Sequence, residues 1–473
     1  MGDRPRQCLT DMRQIGRQRP TGPGFFPWEG DRERVLPLTG LKSLLRSAPM
    51  RLSTALLCSS LLALSLAAPG PASAADPPAK FASFALCDQA RLSATHPAFI
   101  ATHFDFVEDG GWANPQVMKA LNRNIKLYIY FNSMFTVITR ASMPADTYFY
   151  DPRSHLQLTN PGEPTVRLMN LSSSTYRSYA LQHIQRSLAK GYDGVHLDDV
   201  HGDLTSPLHS HMVQVDSSGK LIPYTSIPPW ALQYPSQMTE FITYIKSKVG
   251  AQRPVVFNGL IPPDYRETKY LPFADGFVIE GFVADNRQFI RKHWFTDDAW
   301  VRAVNALMQN SQTKIASVMV YGLPTTINAR LYALTSYLIG NRTGLASFAY
   351  GDVGCSEINF FPEWQINYGT PLDPPQKGNT VSVADYYDSA HRLYKRSFTN
   401  ADIYINPSEK DPSAEVALPA TKYRASLTGG NIPELGGGGT ITYVPVGSLQ
   451  LGPHEAAILL NKPRPQPAPP GAR

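Results

Sequence analysis

At 473 residues, with 42% hydrophobic and 11% aromatic side chains, the chain has room for one large domain and a smaller one, and is too apolar for a disordered polymer. Its formal charge of +6 is concentrated at the start: residues 1–49 carry nine basic and five acidic side chains and Arg51 adds a base, leaving 34 basic against 33 acidic groups beyond. That near-neutrality removes the concentrated basic surface that nucleic-acid binding needs, and no apolar run after residue 75 approaches the roughly 18 residues of a membrane span.

Met50-Arg51, the apolar run Leu56–Ala68 and Pro71-Ala72-Ser73-Ala74 have the form of a secretion signal over residues 50–74, cleaved to leave Ala75 as the first mature residue. Residues 1–49 lack periodicity and read as an over-long start with Met50 as the initiator, or as an extended leader. Cys58 lies inside the apolar run, too early for a lipobox, so the expectation is a soluble protein secreted to an extracellular or periplasmic space. Cys8 and Cys58 leave with the leader; Cys87 and Cys355 remain.

From about residue 98 the pattern alternates between strands and helices. Eight strands are expected: Phe99–Phe106, Ile125–Asn132, Thr165–Asn170, Gly194–Asp199, Pro254–Gly259, Gly276–Phe282, Ile315–Tyr321 and Gly344–Tyr350. Thr175–Lys190 is the clearest helix, with Ser172-Ser173-Ser174 able to cap it and Tyr176, Leu181, Ile184 and Leu188 near helical spacing. Gln237–Val249, stopped by Gly250, is another. Eight βα units within about 300 residues predict an α/β fold, a (β/α)8 barrel over residues 75–398. Cys87 and Cys355 then flank the first and last strands, which are neighbours in a closed barrel; they form a disulfide or stay as two buried thiols. The segments Val200–Ser236 and Asp352–Thr380 are long loops, and loops of that length are usually functional. After a helix over Val383–Arg396, short strands at Ile403–Asn406, Ala414–Leu418, Thr440–Val444 and Ala456–Leu460 predict a small all-β domain over residues 399–462, followed by a Pro-rich disordered tail, 463–473.

Side-chain alternation selects the candidate site. Barrel strands turn apolar residues outward under the helices and end in functional groups at the C-terminal mouth. Val195 and Leu197 therefore face out, with His196 and Asp198 in; Phe277 and Ile279 face out, with Glu280 in. By the same rule Phe104 and Phe106 face out with His103 and Asp105 in, and Leu127, Ile129 and Phe131 face out with Tyr128, Tyr130 and Asn132 in. Asn258 and Tyr321 complete six strand ends that deliver polar groups to one mouth. Trp112, Trp230 and Trp364 fall in loops, where aromatic faces can stack on sugars or simply pack.

The run Gly191-Tyr192-Asp193-Gly194-Val195-His196-Leu197-Asp198, with Asn258-Gly259 and Glu280-Gly281-Phe282, resembles the TIM-barrel hypothetical glycosyl hydrolases and, more loosely, the polygalactosaminidase family. Arg396-Ser397-Phe398, Ile403-Tyr404-Ile405-Asn406-Pro407 and Ala456-Ala457-Ile458-Leu459-Leu460 look like the C-terminal β-sandwich of such enzymes, so the resemblance covers most of residues 95–462. It implies a carbohydrate substrate, with Asp198 as the strand-four carboxylate and Glu280 as the strand-six one. Acids on those strands also resemble the α-galactosidase-like clan, which implies a strand-four nucleophile and a strand-six proton donor. His196 stands where that pattern has an aromatic or aliphatic residue, and Asp199 where it often has Asn or Thr, which leaves the reactive residue open between Asp198 and Asp199.

Cleaving an acetal needs one neutral acid to protonate the leaving oxygen and one ionised acid to meet the developing oxocarbenium ion. Glu280 is assigned the first role and Asp198, or Asp199, the second, with retention of configuration expected from the strand pair. Asp105, His103, Tyr130, Asn132, His196, Asn258 and Tyr321, with Trp112 and Trp230, are the candidate substrate-binding residues; capping and ion pairing are the ordinary roles of such groups. The cluster His196, Asp198, Asp199, His201, Asp203, His209 and His211 raises a metal-dependent polysaccharide hydrolase or deacetylase as an alternative, but there is no His-Glu-x-x-His helix. A non-catalytic carbohydrate-binding barrel is the third reading. No nucleotide-binding loop occurs, Gly436–Gly439 being a hairpin loop, and no cofactor or metal is expected.

Overall fold

The computed structural model describes residues 81–85, 96–109, 113–137, 143–150, 157–160, 163–201, 213–215, 221–223, 232–260, 265–284, 294–351, 358–378 and 380–462. The expected leader, signal segment and C-terminal tail lie outside the described residues, as do Cys87 and Cys355.

An eight-stranded parallel sheet carries the fold. Its strands are β1 (Ala82–Ala85), β2 (Phe106–Asp109), β3 (Lys126–Asn132), β4 (Gly194–Asp198), β5 (Val255–Asn258), β6 (Gly276–Glu280), β7 (Ile315–Tyr321) and β8 (Ala346–Gly351), neighbours in that order. A parallel bridge between Phe81 and Phe348 brings the first edge to the last and rounds the sheet into a barrel. Helices α1 (Pro97–His103), α2 (Pro115–Leu121), α3 (Ser174–Ala189), α4 (Tyr234–Val249), α5 (Asp297–Asn310) and α6 (Ile327–Gly340) lie between the strands. The local chemistry is legible: Ser173 Oγ accepts from the Tyr176 amide to cap α3, and Gly250, at φ +90°, stops α4.

Alternation sorts the barrel into two faces. Leu127, Ile129, Val195, Leu197, Val255, Phe257, Phe277 and Ile279 join the outer core under the helices, whereas Phe106, Tyr128, Val256, Val278, Met319 and Ala349 form a separate cluster inside the barrel. The interior is filled tightly. A Cβ on Gly194 would stand 2.5 Å from the Tyr128 ring and 2.6 Å from the Pro254 carbonyl, so the start of β4 needs a glycine.

Two of the expected strands are corrected, and the errors cancel. The stretch read as Phe99–Phe106 is mostly helix: Pro97 opens α1, which suits the first helical position, and the strand begins only at Phe106. The true first strand is the short, small-residue β1. Thr165–Asn170 does overlap a strand, Glu163–Leu168, but one outside the barrel. It belongs to a five-stranded antiparallel sheet with Phe135–Val137, Gln157–Asn160, Val213–Val215 and Leu221–Pro223, built from the excursions after β3 and β4. The segment after β4 is therefore partly sheet. With one strand lost and one gained, Asp198 and Glu280 still end the fourth and sixth barrel strands.

C-terminal to the barrel, seven strands form an antiparallel sheet: Pro371–Leu372, Tyr387–Asp388, Leu393–Phe398, Ala401–Asn406, Val416–Thr428, Thr440–Leu449 and Glu455–Leu460. The helix expected over Val383–Arg396 is instead a single 3-10 turn, Val383–Tyr386, running into strands. This sheet packs on α6, which is buried all round from Ala329 to Gly340. No helix among the described residues is long and apolar enough to cross a membrane.

Candidate active site

The ends of β3 to β7 converge on two carboxylates. Asn258, at the end of β5, donates both amide hydrogens: Nδ2 lies 2.9 Å from Asp198 Oδ1 and 2.7 Å from Glu280 Oε2. The remaining oxygen of each acid accepts from a phenol. Tyr130 O–H donates to Asp198 Oδ2 at 2.8 Å, and Tyr321 O–H donates to Glu280 Oε1 at 2.9 Å. All four carboxylate oxygens are thus held, which fixes both side chains. One oxygen of each acid therefore meets the same nitrogen, and the two carboxylates face each other across the Asn258 amide.

Asp198 and Glu280 are half-buried, with Tyr130, Asn132 and Tyr321 around them, while Asn258 and His196 are buried below. Burial pushes the Glu280 carboxyl above its usual range and the Asp198 charge adds to the push; the bonds from Asn258 and Tyr321 and the charge of His196 oppose it. Burial, with Asp198 and Asp199, also holds the Tyr130 phenol well above its ordinary range, so it stays a donor.

Asp199 follows in left-handed backbone, φ +53°, a conformation Asp tolerates better than most residues. The turn takes its side chain away from Asp198 to a different set of partners: Asn132 Nδ2 donates to Oδ2 at 2.6 Å, and His201 Nε2 lies 3.6 Å from Oδ1. Asn132 Oδ1 in turn accepts from the Met134 and Phe135 amides. After Glu280 the chain also turns through positive φ, here at Gly281, +75°.

Other expected residues lie elsewhere. Asp105 precedes β2, at the opposite end of the strand from the mouth, and its carboxylate accepts from the Phe81 amide. His103 ends α1 and stacks on Phe99, ring centroids 4.0 Å apart. Both misplacements follow from reading α1 as strand. Trp364 is core, stacked on Phe81 at 4.4 Å. Trp112 and Trp230 lie outside the described residues, as do Asp203, His209 and His211 of the His/Asp cluster. His196 is committed to an ion pair with Glu108, and among the described residues no group of three or more His, Cys, Asp or Glu is arranged to hold a metal ion.

Glu108 is the group that the sequence reading missed. Because β2 starts at Phe106 with that ring inside the barrel, Glu108 also points inward, one residue out of phase with the expected pattern. A signal was present: Phe106-Val107-Glu108-Asp109-Gly110 ends in carboxylates and glycine, as β4 and β6 end in carboxylates.

The sequence model of hypothetical glycosyl hydrolase family 15 matches residues 119–402. No curated protein matches the chain by sequence. Among solved structures the chain is similar to the glycoside hydrolase domain of PelA from Pseudomonas aeruginosa (13% identity, 60% of this chain and 97% of that one, TM-score 0.41). It is also similar to Eubacterium rectale Amy13B (12% identity, 82% and 98%, TM-score 0.43), and to Aspergillus fumigatus Ega3 in complex with galactosamine (14% identity, 59% and 92%, TM-score 0.33).

Proposed function

The chain belongs to hypothetical glycosyl hydrolase family 15 and hydrolyses glycosidic bonds; from that premise we propose that it is a retaining, exported enzyme in which Asp198 is the nucleophile and Glu280 the general acid and base, acting on a poly- or oligosaccharide. The observation that carries the reading is the single Asn258 amide that holds both carboxylates. An amide shared by both acids supports a close pair, as in enzymes whose carboxyls stand roughly 5–5.5 Å apart and work through a covalent intermediate.

In the first step an Asp198 oxygen attacks the anomeric carbon as the bond to the leaving oxygen breaks. Glu280 gives that oxygen its proton. In the second, the Glu280 carboxylate takes a proton from water, whose oxygen displaces Asp198 and restores the starting configuration. The environments favour this division. Glu280 is the carboxyl pushed toward the protonated form, and Asp198 faces two donors that stabilise its charge. Asp199, turned onto Asn132, is a binding or supporting group in this scheme.

The antiparallel sheet built from the excursions after β3 and β4 offers a wall along which an extended sugar chain could lie. Export rests on the signal-like run over residues 50–74; secreted protein should begin at Ala75 on N-terminal sequencing, and retention of the uncleaved chain in the cytoplasm would refute it.

The deciding experiment is release of reducing ends from a panel of plant, fungal, bacterial and amino-sugar polysaccharides, with the anomer of the first product read by NMR. Release of the substrate's own anomer supports the scheme. Release of the opposite anomer refutes retention, and no release by folded protein across the panel refutes the substrate class.

A further inference from the structure

Beneath the two acids lies a second charged pair that this scheme does not use. His196 and Glu108 are 1% and 0% exposed and are ion-paired through imidazole Nδ1 and a carboxylate oxygen. His196 precedes Asp198 by two residues on β4, so the two side chains stand on the same face, one layer apart. The register sets Tyr130 beside His196 on β3 and Val256 beside it on β5. The titratable groups that face the imidazole are Glu108 from β2, Tyr130 from β3, Asp198 from β4 and Glu280 from β6; Tyr321 of β7 reaches this set through Glu280. His196 supplies the cation of that set. The neighbouring interior positions are filled by Phe106, Val256, Val278 and Met319, as a barrel layer built only for packing would be.

Two carboxyls that share one amide repel each other when both ionise, and the usual outcome is a single shared proton. Retaining hydrolysis needs that proton on one of them. Building on the glycosidase reading, we propose that His196, oriented by Glu108, is a positioning residue for the acid pair: its imidazolium stands below Asp198 and Glu280 and supplies the cation that balances the negative charge of the pair while Glu280 gives up and regains its proton. Burial alone would discharge the ring, but Glu108 first, then Asp198 and Glu280, outweigh it and hold the imidazole above its ordinary range. Burial raises the Glu108 carboxyl against the pull of His196. Neither partner remains charged alone at such a site, so the two act as a unit.

The charge can be read without turnover. In wild-type protein at pH 7 the His196 ring nitrogens should both carry protons by 15N NMR. A neutral ring overturns the proposal whether or not a substrate has been found, whereas absence of sugar-end release overturns the glycosidase reading instead. With substrate in hand, His196→Gln and Glu108→Gln should each move the alkaline limb of the kcat/KM pH profile, which follows Glu280, to higher pH, because that acid loses the imidazolium that holds it down. The double variant should move it no further. Limbs that stay in place while kcat falls would mark the pair as structural packing, and additive shifts would show two independent groups; either result overturns the proposal. Should the variants fail to fold, the ring measurement on the wild type still decides.

Discussion

Two regions of the molecule that bury charged side chains treat them in opposite ways. Where the barrel meets the C-terminal sheet, each buried cation is fully matched. Arg330 meets Glu363 through Nε at 2.9 Å, and its Nη1 donates to the Gly429 carbonyl at 3.0 Å. Arg396 grips Asp373 at 2.7 and 3.0 Å and donates to the Asn341 carbonyl at 2.8 Å. At the barrel mouth, Glu108, Asp198 and Glu280 crowd around one imidazole, with Asp199 close by. Matched charge tells of a joint that must hold. An excess of one sign, fixed by hydrogen bonds, tells of a site whose protonation has been set for chemistry at the expense of stability.

The largest effect should come from removing the excess. Asp198→Asn and Glu280→Gln should each lower kcat/KM by about 10³-fold. Glu280→Gln should also stabilise the fold on the alkaline side. Its carboxyl is raised in the native state, so the native protein holds more protons than the unfolded chain, and wild-type stability falls as pH rises through that raised value. The glutamine variant has no proton to lose. Melting curves of the two proteins at pH 5 and pH 8 check this; a variant that loses stability at pH 8 would break the contrast between mouth and joint.

The joint should answer in reverse. Arg330→Met leaves Glu363 buried without its partner and should cost about 3–5 kcal/mol in urea unfolding, with kcat/KM per folded molecule unchanged at 25 °C. A mild loss of stability would mean that the pair is relieved by water or protonation and that the joint is less tightly matched than its hydrogen bonds imply.

Between these extremes lies Asn258→Ala, which releases both acids without removing either. About a 10²-fold loss in kcat, with little change in KM, is the expected outcome for a group that positions the pair, and a change confined to KM would make Asn258 a substrate ligand instead.

Much of this site was legible because β3 and β4 alternate cleanly and β5, β6 and β7 each end on a polar residue. Once Val195 and Leu197 are placed outward, Asp198 has to face the mouth, and the same phase places Tyr130, Asn258, Glu280 and Tyr321 beside it. The entry into the barrel was not legible. β1 is four residues, Ala-Ser-Phe-Ala, with little pattern to read. The stretch from Phe99 to Phe106 mixes apolar and polar residues as a strand would, while Pro97 acts as a helix start. That one misreading put His103 and Asp105 into the site and kept Glu108 out, since a shift of one residue reverses every side chain of a strand. Thr165–Asn170 does overlap a strand, Glu163–Leu168, but hydropathy carries no information on which sheet a strand joins.

The smallest effect discriminates best between the groups around Glu280. Tyr321 donates to Glu280, and its O–H bond is one of the influences that hold the Glu280 carboxyl down. Tyr321→Phe keeps the ring and deletes that bond. The carboxyl should rise further, so the alkaline limb of kcat/KM should move to higher pH. A loss of about tenfold in kcat is expected from one hydrogen bond to a charged group. His196→Gln should move the same limb in the same direction, because the imidazole charge also holds the Glu280 carboxyl down. If Tyr321→Phe moves the acid limb as well, the two carboxyls act as one coupled unit, and the separate roles given to Asp198 and Glu280 would have to be replaced by a proton shared across Asn258.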